Sequence, residues 1–138
     1  MPFSDILFAV FCISTLPHTA LQEVVASKLE ADYPEVRTVL VANGSPWCYA
    51  RLNVVPEERY FYLPSVDYDV FPDAADAQVE AILNGEAEAV IVEWSYPEGK
   101  LWLPYGAKNE KVTGGLAEFY EEVFCGGDTS LFIRNDIL

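Results

Sequence analysis

Apolar residues run through this chain in two periods, and the period changes where turn residues cluster. Around the middle, Val90-Ile91-Val92 is β-branched and apolar, and Trp94 and Tyr96 continue the face of Val90 and Val92. Pro97-Glu98-Gly99 supplies turn chemistry, and Lys100-Leu101-Trp102-Leu103 returns until Pro104 stops it. This pattern predicts a hairpin in the middle of a sheet.

The same reading extends along the chain. Residues 5–13 are continuously apolar with aromatics interleaved, which predicts a central strand. Thr19 and Gln22 form a capping box. Leu21, Val24, Val25 and Leu29 then mark one face of a helix ending near Asp32, before Tyr33-Pro34. Residues 36–42 predict a strand, Asn43-Gly44-Ser45-Pro46 a turn, and residues 47–55 a second strand pairing antiparallel with the first. In that strand Cys48 faces the core. Residues 59–63 read as a further short strand. Residues 64–72 have no clean period and form a loop of about nine residues, longer than most connections.

Asp73 predicts a helix start with Asp76 in its first turn, and Ala75, Val79, Ile82 and Leu83 form its buried face up to Asn84-Gly85. Thr113 caps a third helix with Leu116, Phe119, Tyr120, Val123 and Phe124 on one side, ended by Gly126-Gly127. Leu131-Phe132-Ile133 is a last short strand. The order β-α-β-β-β-α-β-β-α-β mixes hairpins with lone helices. It predicts a single α+β domain over residues 1–138 with a mainly antiparallel or mixed sheet.

Composition agrees with a folded domain: of 138 residues, 51% are hydrophobic and 14% aromatic, too many for a disordered chain. Charge adds the strongest functional signal. There are 22 acidic and 8 basic residues, a net charge of −14, which repels nucleic acid and anionic membranes and attracts a basic surface. The run Ile6 to Ile13 lacks the preceding positive charge of a secretory signal and is too short to span a bilayer. The three cysteines, Cys12, Cys48 and Cys125, are odd in number and widely spaced, which fits a reducing compartment, the cytoplasm, and buried thiols.

Motifs for chemistry are sparse. His18 has no second histidine at a metal-binding spacing, and Asp67-x-Asp69 with Asp73 and Asp76 lacks the loop glycine of a calcium loop. Thr113-Gly114-Gly115 serves as a helix cap, with Glu118, Glu121 and Glu122 opposing a phosphate. No metal, cofactor or catalytic residue is assigned, and the balance leans away from an enzyme.

What remains is surface. Tyr and Trp residues gather in the middle third among carboxylates, a composition favoured at interfaces, although most such rings belong to the core. The expectation is a small acidic, non-enzymatic protein-binding module of the inhibitor or immunity type. It covers a basic, nucleic-acid-binding surface of a protein partner through Asp67, Tyr68, Asp69, Asp73 and Asp76, with Glu57 and Glu58 nearby. Direct nucleic-acid and membrane contacts are not expected. The alternatives are a small enzyme or ligand-binding domain with an aromatic-lined pocket and Cys48 or His18 as the reactive group, and a self-associating structural subunit.

Overall fold

Two short apolar runs, Val39-Leu40-Val41-Ala42 and Ala89-Val90-Ile91-Val92, lie side by side in parallel and are buried on both faces. They belong to a computed structural model that describes residues 20–59, 61, 67, 69–94 and 108–138. In chain order the elements are α1 (Ala20–Asp32), β1 (Val39–Ala42), α2 (Trp47–Leu52), α3 (Ala74–Leu83), β2 (Ala89–Glu93), α4 (Asn109–Phe119), β3 (Tyr120–Gly126) and β4 (Thr129–Arg134).

The sheet order is β1-β2-β4-β3, with β1 and β2 parallel and the two remaining pairings antiparallel. The fold is therefore α+β around a mixed sheet, as the alternation of hairpins and helices predicts. Strand side chains alternate between two cores. Leu40, Val90 and Val92 face α3 and α4, whereas Val39, Val41 and Ile91 face α1 and α2. Ile91 and Leu40 are fully buried, each worth about 2–3 kcal/mol of transfer from water. Among the described residues, no helix is long and apolar enough to cross a membrane.

Several expectations are corrected. Residues 47–55 do not form a strand. Pro46 sits in the helical region (φ −66°, ψ −5°), α2 follows, and Asn53 ends it in the left-handed region (φ 55°). Proline pre-sets the first helical turn and asparagine tolerates the left-handed stop, so local chemistry overrides the two-residue alternation. Trp47, Cys48 and Tyr49 are all buried, a run that an alternating strand with one wet face cannot produce. The antiparallel pairing expected across Asn43-Gly44 goes with it, because β1 pairs with β2 instead.

The third helix also ends early. It starts at Asn109, so Thr113 lies inside it and donates its hydroxyl to the Asn109 carbonyl (3.0 Å) instead of capping it, and Tyr120 turns extended (φ −131°, ψ 157°), so that Tyr120, Val123 and Phe124 lie in β3 rather than on a helix face. Gly127, at φ 59°, makes the turn that folds β3 against β4. A β-bulge falls between Glu122 and Phe124. It turns both Val123 and Phe124 toward the core of α1 and α2, which strict alternation forbids.

On α1 the buried stripe is Gln22, Val25, Ala26 and Leu29, rotated from the expected one. Val24 is 47% exposed and polar Gln22 is 2% exposed. The strand expected over 36–42 shortens to β1, because Val36 closes a turn onto the Tyr33 carbonyl (3.1 Å).

Other elements match their reading. On α3, Ala75, Val79 and Ile82 are buried and Leu83 packs against the same core. The run Val90-Ile91-Val92 lies in β2, with Trp94 beside the core of Val90 and Val92. The strands expected over 5–13 and 100–103 lie outside the described residues, as do Thr19 of the capping box, His18 and Cys12. Of residues 59–63, only Arg59 and Phe61 are described, and neither belongs to a strand.

Candidate functional site

The acidic segment before α3 is a series of turns. The Asp67 carbonyl accepts the N–H groups of Val70 (3.2 Å) and Phe71 (2.8 Å), and its carboxylate accepts the N–H of Asp69 (3.0 Å). The Phe71 carbonyl accepts the Ala74 N–H, and the Asp73 carbonyl that of Asp76. Aspartate commonly closes such turns onto its own backbone. Asp73 holds the N-cap position of α3, but its side chain makes no capping hydrogen bond. Asp67, Asp69 and Asp73 are exposed, and between them Val70 is 62% and Phe71 41% exposed.

The basic side chains do little to neutralise this surface. Among the described residues, Lys28 pairs with Asp32, Arg51 with Glu23 and Glu30, Lys108 with Asp76, and Arg134 with Asp136. None of these pairs includes Asp67, Asp69, Asp73, Glu57 or Glu58. Asp76, half-exposed, thus already faces a cation within the chain.

The expected contacts divide into two groups. Glu57 is exposed and Glu58 half-buried. Burial pushes the Glu58 carboxyl above the usual range, and repulsion from Glu57 and Glu86 pushes the same way. Glu86 lies past the C-terminus of α3, a ten-residue helix about 15 Å long. Asp67, Asp69, Asp73 and Asp76 belong to its N-terminal end. Tyr68 lies outside the described residues.

A second polar cluster forms where β1 and β2 end, on the carboxyl side of the parallel pair. The Gln22 side-chain amide, from α1, donates to the Glu93 carboxylate at the end of β2. Asn43, in the left-handed region (φ 62°), donates its side-chain amide to the Glu93 carbonyl (2.9 Å). Gly44 fits because it has no side chain: a Cβ there would lie 2.5 Å from Val41 Cγ1 and 3.1 Å from Glu93 Cδ. Burial raises the Glu93 carboxyl pKa, the Gln22 hydrogen bond opposes this, and repulsion from Asp128 adds to it. The Asp128 carbonyl accepts the Trp94 N–H, and the Trp94 indole donates to Ser130 (2.9 Å).

Cys48 borders this cluster. It is fully buried, and its thiol is pushed up to about 12 by burial, with Glu93 and Glu23 adding to the shift. It packs in the core of α1 and α2, and burial disfavours the thiolate. Among the described residues, no group of His, Cys, Asp and Glu is placed to hold a metal ion.

Sequence reasoning passed over the Gln22–Glu93 junction. Its available signal was a glutamine at positions i, i+3, i+4 and i+7 with Val25, Ala26 and Leu29, the spacing of a buried stripe. Comparison with models of protein families, with curated proteins and with solved structures finds no match to this chain.

Proposed function

We propose that this chain is a non-enzymatic, acidic protein-binding module of the inhibitor or immunity type, which covers a basic, nucleic-acid-binding surface of a partner protein. The observation that carries this reading is the segment before α3. Asp67, Asp69 and Asp73 expose carboxylates around exposed Val70 and Phe71, on turns closed by hydrogen bonds. Carboxylates so held offer Arg and Lys side chains the charge-assisted contacts that phosphates otherwise make. The apolar pair supplies contact area, and the carboxylates steer a basic partner into place. Tyr68, between two of these aspartates, belongs to the same proposed contact. Asp76 joins it once a partner cation displaces Lys108. Glu57 and Glu58 form a secondary patch beyond the far end of α3.

The test is capture from native cell extract at low and at high salt, with wild type and the Asp67→Lys/Asp69→Lys variant. A basic protein retained by wild type at low salt, released at high salt and lost by the variant supports the reading. The wild-type chain should then compete with nucleic acid for that protein. Equal retention by the variant, or no competition, overturns it.

A further inference from the structure

Apart from the Glu93 cluster, a pocket of about 220 Å³ opens between the C-terminal end of α1, the approach to β1 and the end of α2. Its walls are apolar: Leu29 and Val39 are almost fully buried, and Tyr33, Leu52 and Val54 are half-buried. Pro34, Val36 and two charged residues, Glu30 and Arg37, complete the lining. The Glu30 carboxylate is engaged by Arg51 (2.7 Å). Arg37 differs. Its Nη1 donates to the carbonyls of Pro34 (2.6 Å) and Val36 (3.1 Å), and among the described residues no carboxylate pairs with its guanidinium. Lys28, Arg51, Lys108 and Arg134 are all ion-paired.

We infer that this pocket binds a small apolar carboxylate, with the apolar body against Leu29, Leu52 and Val54 and the carboxylate on the Arg37 guanidinium. The two carbonyl bonds hold Nη1, which fixes the plane of the fork and leaves Nε and Nη2 to meet a carboxylate side-on. Size sets the class of ligand. An apolar cavity of about 150 Å³ takes benzene. The additional space here suits one ring with a short acid arm and excludes most drug-sized ligands, whose pockets start at about 300 Å³. The chain's net charge of −14 opposes an anion at long range. That field is screened beyond about 8 Å at physiological salt, so the ligand is held by contact and not steered. This inference is independent of the acidic surface, and either stands without the other.

The experiment is a titration of the ¹⁵N-labelled full chain with 3-phenylpropionate, followed by amide shifts. Two probes of the same shape serve as comparisons, the neutral 3-phenylpropionamide and the cationic 3-phenylpropylamine. The expected result is saturable shifts at Tyr33, Arg37, Leu52 and Val54, with the acid at least about tenfold tighter than the amide, as a charge-assisted hydrogen bond implies. Arg37→Gln should remove that preference, and Arg37→Lys, which keeps the charge and loses the fork, should keep part of it. No saturable shift, equal affinity for acid and amide, or tighter binding of the amine overturns the inference. Should Arg37→Gln not fold, the acid-to-amide ratio on the wild-type chain decides by itself.

Discussion

Gln22 on α1 and Glu93 at the end of β2 stand 71 positions apart and are joined by a partly buried side-chain hydrogen bond. Gln22 is 2% exposed, and Glu93 is largely withdrawn from water. One bond therefore ties the first described helix to the central strand. Removing the amide leaves a carboxylate in the interior without that donor. Gln22→Ala should lower stability by about 1–3 kcal/mol, read from urea unfolding at neutral pH. A loss within about 0.5 kcal/mol, the usual range for surface changes, would show that the bond holds nothing together.

The same carboxylate gives stability a pH dependence of definite sign. The pKa of Glu93 is raised in the folded state, so the folded state binds its proton more tightly than the unfolded one. The ionised form carries a penalty above the folded pKa. That penalty is relieved as pH falls through the folded pKa toward the ordinary value of 4.5. Glu58 acts in the same direction. Glu93→Gln keeps a polar partner for Gln22 and cannot ionise. Its unfolding free energy should therefore rise less than that of wild type as pH is lowered from neutrality toward 4.5. Parallel wild-type and variant curves over that interval would remove Glu93 as the source.

Cys48 and Cys125 should separate cleanly in thiol labelling. Cys125, expected to be buried from its apolar neighbours, is instead exposed on β3, whereas Cys48 is buried and holds its proton up to about 12. In a Cys12→Ser background, a thiol reagent at neutral pH should label Cys125 at once and Cys48 only on unfolding. Rapid labelling of both would contradict the buried site.

Tyr49 supports a strand edge. Its hydroxyl accepts the Val41 N–H (2.8 Å), a donor on the side of β1 facing away from β2. Its pKa is raised, chiefly by burial. Tyr49→Phe leaves that N–H without its acceptor and should cost about 1–3 kcal/mol, measured by chemical unfolding. An unchanged midpoint would show that the donor finds another acceptor.

Gly44 tests the packing at the ends of the parallel strands. A Cβ would meet Val41 Cγ1 at 2.5 Å, well inside contact distance. Gly44→Ala should destabilise by about 1–3 kcal/mol through overpacking. A stability gain, the usual outcome for glycine to alanine where space allows, would mean that Val41 moves aside freely.

The parts of the fold written in the sequence are those where one signal dominates. Val90-Ile91-Val92 and Leu131-Phe132-Ile133 are apolar runs rich in β-branched or aromatic residues and are strands. Ala75, Val79 and Ile82 keep helical spacing and are buried. Errors fall where two patterns compete. Residues 47–55 alternate like a strand, yet Pro46 and Asn53 bracket a helix. Tyr120, Val123 and Phe124 suit a helix stripe, yet pairing with β4 draws them into a hairpin. Gln22 was hidden because a polar residue on a buried stripe is explained only by its partner, and Glu93 is remote in sequence. Of the proposed contact, the aspartates before α3 were legible from charge and irregular spacing. Their separation from Glu58 was not, since it depends on where α3 ends in space.

The bulge at Val123 has a consequence for crowding at high concentration. Among the described residues β3 pairs on one side alone, so its other side could serve as a template for a neighbouring molecule. The extra residue breaks the even spacing of its backbone donors and acceptors, and Glu121 and Glu122 place like charges along it. A second copy laid alongside would meet an uneven ladder and mutual repulsion. Both features oppose fibre growth by strand stacking at this border, and deleting Val123 while replacing both glutamates with threonine is the change that should weaken that opposition.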